Sequence, residues 1–158
     1  MGTDTGKGAK KIGFLRRLLH NYDVVMLQEI HGTKEMWERF SNDWRRSHLT
    51  FFSLSESQAL GGIAIIVKVD LTGKATSSPR LEVLESGRAG ILHIEFEDGQ
   101  LFLENVHHHD LLDQRGTIRR FAEVIGHARA STTGTSLALL GGDFSYILDG
   151  EKTSAYWL

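Results

Sequence analysis

Two carboxylates in this chain stand where apolar runs end. Leu137–Tyr146 reads LALLGGDFSY, an apolar run that breaks at two glycines and delivers Asp143. Asp23–His31 reads DVVMLQEIH, and its apolar run leads through Gln28 into Glu29. A carboxylate at the end of a buried strand is held by rigid scaffold, and hard divalent cations take oxygen ligands so held. Each acid also has a plain structural use: Asp143 suits a β-turn, and Glu29 suits a cap or an ion pair at a strand end. Two apolar strands that each end in an acid, far apart in sequence, form the constellation of a metallohydrolase. A third stretch, Asn105–Asp110 (NVHHHD), sets His107, His108 and His109 in a row. Neighbours in an extended segment point to opposite faces, so the three cannot all ligate one ion. A structural zinc site would need further ligands with no evident source here.

These residues need strands to hold them, and the pattern supplies strands. Val24–Gln28 carries four consecutive apolar residues, which suits a strand covered on both faces. Leu49–Leu54 is rich in β-formers, Gly61–Val69 (GGIAIIVKV) is strongly apolar, and Leu81 and Val83 begin an alternating strand before Arg88 in a Gly-flanked turn. Leu92, Ile94 and Phe96 alternate with His93 and Glu95, Asp98-Gly99 turns, and Leu101, Leu103 and Asn105 resume the alternation, which predicts a β-hairpin with His93 on the solvent side. Helical spacing appears three times. Ile12, Leu15, Leu18 and Leu19 mark a helix over Ala9–His20 with a basic solvated face. Thr33 reads as the N-cap of a helix to about Arg46, with Met36, Trp37, Phe40 and Trp44 as core rather than as a base-stacking platform. Asp113 reads as the N-cap of a third, striped by Ile118, Phe121, Ala122, Ile125 and Ala128. Residues 1–11 are Gly/Thr/Lys-rich and read as a flexible lead-in to one domain, 12–158. Gly2, Gly6 and Lys7 have the wrong spacing for a phosphate loop, and no strand precedes them.

LQE at Leu27–Glu29, NVH at Asn105–His107 and GGDF at Gly141–Phe144, in that order, resemble the endonuclease/exonuclease/phosphatase (DNase I-like) superfamily, and the LQE-I-H form looks most like its retroelement branch. The resemblance covers the chain from about Lys10 and implies an α/β sandwich of mixed, mostly antiparallel sheets flanked by helices. It implies a magnesium-dependent phosphodiesterase, with manganese as a substitute ion, acting as an endonuclease on nucleic acid, DNA before RNA, with no membrane. Glu29 would be the principal metal ligand, and Asp143 would orient the attacking water and serve a second metal position. His107 would stabilise the pentacoordinate phosphate or protonate the leaving oxygen, and Asn105 would hold the strand end.

Four departures qualify that expectation. Ser145 stands where the family's G-D-x-N motif has Asn, and a hydroxyl offers fewer donors than an amide. The retroelement and apurinic-site branches usually carry Tyr at the position of His107. No Asn-bearing strand precedes LQE, and no S-D-H-like segment follows Asp143. The chain therefore reads as roughly the front two thirds of such a domain, weak or inactive as it stands. The alternatives are a non-enzymatic fragment that binds a partner through an open sheet edge, and a phosphatase of small molecules or lipid head groups.

Composition is compatible with this. The 158 residues suffice for one core; hydrophobic residues make up 41% and charged residues 24%. No apolar run approaches the ~20 residues of a bilayer span, and no apolar stretch follows the N-terminal lysines as in a secretory signal. The lack of cysteine suits an intracellular, reducing setting. A net charge of −2 offers no general basic surface for nucleic acid, though a local patch suffices for phosphate contacts.

Overall fold

β3 (Gly62–Lys68, GIAIIVK) has no polar face, and only a strand buried on both sides accommodates that sequence. In the computed structural model, which describes residues 5–56, 61–107, 116, 119, 122–123, 126 and 134–143, β3 is the centre of a three-stranded sheet. β1 (Val24–Leu27) and β2 (His48–Leu54) flank it, both antiparallel, with Leu27 opposite Ala64 and Leu54 opposite Gly62. A second sheet contains β4 (Arg80–Glu85), β5 (Ala89–Phe96), β6 (Gly99–His107) and β7 (Thr135–Asp143), in that order. β5 and β6 form the expected hairpin, but its two-residue turn is Glu97-Asp98 rather than Asp98-Gly99, with Phe96 paired to Gly99.

The sheets pack face to face. Ile65 and Val67 of β3 meet Leu92 and Ile94 of β5 and Leu103 of β6, all essentially without solvent contact. Burial of such a side chain contributes roughly 1.5–3 kcal/mol, so this layer is the main support of the sandwich. The other face of β3 presents Ile66, which packs with Val25 and with Leu19 of α1 (Thr5–Asn21). Phe40 and Trp44 of α2 (Lys34–Trp44) close that cluster. Thr33 caps α2 as its sequence predicts, with extended backbone and Oγ1 accepting from Met36 N–H at 3.3 Å. α3 is the single turn Val69–Thr72 after β3. The α/β sandwich of mixed, mostly antiparallel sheets that the resemblance implies is the architecture found.

Several local expectations are corrected. α1 begins at Thr5, so Thr5–Lys11 belongs to a helix rather than to an unstructured lead-in. Met36 stands exposed and leaves Trp37, Phe40 and Trp44 to pack. His93 lies on the outer face, as alternation requires, but is stacked on Phe102 with ring centroids 4.7 Å apart. β7 is not a strand covered on both faces. It forms the edge of its sheet, runs unbroken through Gly141 and Gly142 to Asp143, and exposes Leu137, Leu139 and Leu140. Its pairing with β6 is parallel, in an otherwise antiparallel sheet, and such a pair needs a crossover connection rather than a tight turn. Of the third helix, Gly116, Arg119, Ala122, Glu123 and Gly126 are helical; Asp113, Ile118, Phe121, Ile125 and Ala128 lie outside the described residues.

Candidate active site

Strand direction collects the candidate residues at one end of the sandwich. β1, β6 and β7 finish there, at Leu27, His107 and Asp143, and β3 and β5 begin there. Glu29, just past β1, has φ 51°, the one left-handed non-glycine backbone among the described residues. That conformation is costly for an L residue and persists only where surrounding contacts hold it. Two contacts are evident. Ile30 N–H donates to Gly62 O at 3.0 Å. Gly61, itself at φ +71°, lies so close that a Cβ added to it would stand 2.9 Å from the Cα of Glu29. Gly61→Ala is therefore expected to lower stability by at least about 1–2 kcal/mol, the cost of a left-handed L residue, before the clash adds to it. Denaturant unfolding measures this, and an equally stable variant would show that the two turns do not touch tightly.

The Glu29 carboxylate is 60% exposed and its Oε1 lies 3.5 Å from Nε2 of His107, whose ring is buried. His107 is placed by its own backbone, which donates to Arg88 O at 2.7 Å across the β4–β5 turn. The glutamate thus offers its oxygens to solvent beside a fixed imidazole. Asn105, two residues earlier on the same face of β6, is fully buried. Its Nδ2 donates to Leu27 O and to Ala64 O, each at 2.9 Å, and its Oδ1 accepts from Gln28 Nε2 at 2.5 Å. One side chain therefore ties β6 to both β1 and β3. The backbone of Asp143 lies in register with that of His107. Ser145, His108 and His109 fall outside the described residues.

Of the residues singled out from sequence, Glu29 and His107 come together, the backbone of Asp143 ends beside them, and Asn105 sits beneath them with its amide fully engaged. Sequence reasoning missed Gln28, the strained backbone of Glu29 and the role of Gly61 in accommodating it. The paired glycines Gly61-Gly62 before an apolar strand were the available signal, since glycine marks positive φ and close backbone approach. Among the described residues no cluster of three or more His, Asp or Glu forms a ready metal cage. The donors present suit a magnesium-type ion, which is commonly held by one or two carboxylates and keeps most of its waters.

The profile of the Endonuclease/Exonuclease/phosphatase family matches residues 5–153. No curated protein sequence matches the chain. Among solved structures, a humanized D. rerio TDP2 is similar with TM-score 0.54 and 16% identity, covering 89% of this chain and 57% of that one. D. rerio TDP2 complexed with a single strand DNA product gives 0.50 and 17%, covering 83% and 51%. ANGEL2, a 2',3'-cyclic phosphatase, gives 0.58 and 15%, covering 83% and 42%. The chain spans about half the length of these structures. No described helix is long and apolar enough to cross a membrane. A family profile matching nearly the full sequence, laid over a two-sheet sandwich that brings Glu29 to His107, leads to one assignment: the chain belongs to the endonuclease/exonuclease/phosphatase family.

Proposed function

We propose that this chain carries the metal-binding half of a magnesium-dependent phosphodiesterase site that cuts nucleic acid internally, DNA in preference to RNA. The observation that carries it is the Glu29–His107 pair: an exposed carboxylate, carried on a left-handed backbone, 3.5 Å from a buried imidazole. Glu29 would hold the ion, with Asp143 supplying a further oxygen from the end of β7. A bound divalent cation supplies neutralisation of phosphate charge. The chain's own groups do the rest. His107 donates a proton or hydrogen bond to the phosphate from a ring held by β6, and Asp143 orients the attacking water. Asn105 keeps the β1 terminus in place, and Ser145 stands in for the amide donor expected two residues after Asp143. The single strand DNA product in D. rerio TDP2 supports a nucleic-acid substrate. A second reading, a phosphatase of small phosphoesters, is favoured by the net charge of −2 and by the cyclic phosphatase among the structural neighbours.

The test is cleavage of a supercoiled plasmid, a single-stranded oligonucleotide and a 2',3'-cyclic nucleotide with and without magnesium. Weak nicking of the plasmid that requires the ion is expected. His107→Ala should slow it by about 100-fold or more, the usual scale of a positioned acid or base, while leaving ion binding nearly intact. Hydrolysis of the cyclic nucleotide alone would favour the phosphatase, and a folded protein that cuts none of the three would overturn the proposal.

A further inference from the structure

We infer that Gln28 is a positioning residue for Glu29, acting through the amide of Asn105; this rests on the site proposed above. Gln28 is the residue between the end of β1 and the strained glutamate. Its side chain does not turn to the solvent but donates to Asn105 Oδ1. Asn105 is thereby saturated: both amide hydrogens go to the carbonyls of Leu27 and Ala64, and its oxygen goes to Gln28. Only an amide satisfies that set, because two carbonyls need donors on one side and Gln28 needs an acceptor on the other. Gln28 thus fixes which way the Asn105 amide faces.

The carbonyl of Leu27 belongs to the peptide that leads into Gln28, one bond system before Glu29. Asn105 holds that peptide from β6, and Ile30 N–H bonded to Gly62 O holds the chain on the far side. The left-handed turn at Glu29 is clamped between those two anchors, with Gly61 against its Cα. β6 also carries His107, two residues beyond Asn105. A single strand therefore sets both the backbone that presents Glu29 and the imidazole that its carboxylate meets. Loss of Gln28 frees Asn105 Oδ1 in a buried position and lets the amide rotate, so the Glu29 turn relaxes toward ordinary backbone and its carboxylate leaves the pair.

The experiment compares the full chain with Gln28→Ala and Gln28→Glu. The second places a carboxylate against Oδ1 and reverses the demand on the amide. Manganese binding is followed by calorimetry, magnesium-dependent turnover by kcat and KM, and the Ile30 amide by hydrogen exchange. Both variants are expected to weaken manganese binding or lower kcat by about 10–100-fold, as outer partners of metal ligands do. KM should be unchanged, and exchange should accelerate at Ile30, whose N–H is bonded to Gly62 O, but not in the β5–β6 hairpin. Unchanged affinity and kcat, or a loss of thermal stability with both unchanged, overturns the inference. If the parent chain binds no manganese, the metal-site proposal fails on its own. Hydrogen exchange then still decides: protection lost at Ile30 but not in the β5–β6 hairpin supports the clamp, and unaltered protection at Ile30 overturns it.

Discussion

Glu29→Gln is expected to abolish divalent-ion binding and to lower any ion-dependent phosphodiester cleavage by about 100- to 1,000-fold. That range corresponds to the several kcal/mol a Lewis-acidic ion supplies at a phosphoryl group. The substitution keeps the shape of the side chain and removes only its charge, and the carboxylate is 60% exposed, so little packing changes. The backbone requirement is unaltered, because glutamine meets the same left-handed conformation as glutamate at φ 51°. Unfolding should therefore be nearly superimposable on that of the parent, while calorimetric titration with manganese becomes flat. A variant that binds and cleaves as the parent does would remove Glu29 from the site. A variant that loses stability would instead show that the contact with His107 is structural, a fastening between the sheets rather than a place for an ion.

The contrast between Glu29 and its surroundings shows how much of this site could be read from sequence. Glu29 and Asp143 could be singled out as candidates because an acid at the end of an apolar run is a local pattern. The β5–β6 hairpin and the Thr33 cap were legible for the same reason: alternation and a capping hydroxyl are properties of a few adjacent residues. The clamp was not, because Gln28 and Asn105 are 77 positions apart and meet only when the two sheets pack. The direction of β7 was equally hidden. Alternation identifies a strand, but neither its parallel pairing with β6 nor its place at the edge of the sheet is a property of its own residues. Glu104 is the sharpest case. The alternation Leu101, Leu103, Asn105 assigns it to the outer face with the polar residues, yet it has no solvent contact at all. On that face Phe102 and Ile91 form a covered apolar cluster with Leu84 and Ala138, and Glu104 is paired across β6 with Ile91 and Leu140.

From that burial comes the largest expected effect on stability. Neither carboxyl oxygen of Glu104 has a hydrogen-bond partner among the described residues, and desolvation pushes its pKa up to about 8, well above the ordinary carboxylate value of 4.5. The folded chain therefore keeps a proton that the unfolded chain has already released over the interval between those two values. Stability is fully present below the unfolded value, falls through the interval by about 1.4 kcal/mol per pH unit, and levels off above about pH 8. The whole loss is on the order of 5 kcal/mol, comparable to the net stability of a small domain. Glu104→Leu removes the ionisable group from an apolar setting and should cancel this slope, leaving the variant more stable than the parent by roughly 1–3 kcal/mol at pH 5, the desolvation cost of the neutral carboxyl, and by several kcal/mol more at pH 8. Glu104→Gln should also cancel the slope but remain below the leucine variant by roughly 1–3 kcal/mol, since a buried amide without partners keeps its desolvation cost. Urea unfolding of the three proteins from pH 5 to 8.5 separates these outcomes. Parallel curves for parent and leucine variant would mean that the carboxyl reaches water or a cation in solution. Diverging curves would mean that Glu104 sits on β6, between Leu103 and Asn105, as a neutral acid at physiological pH.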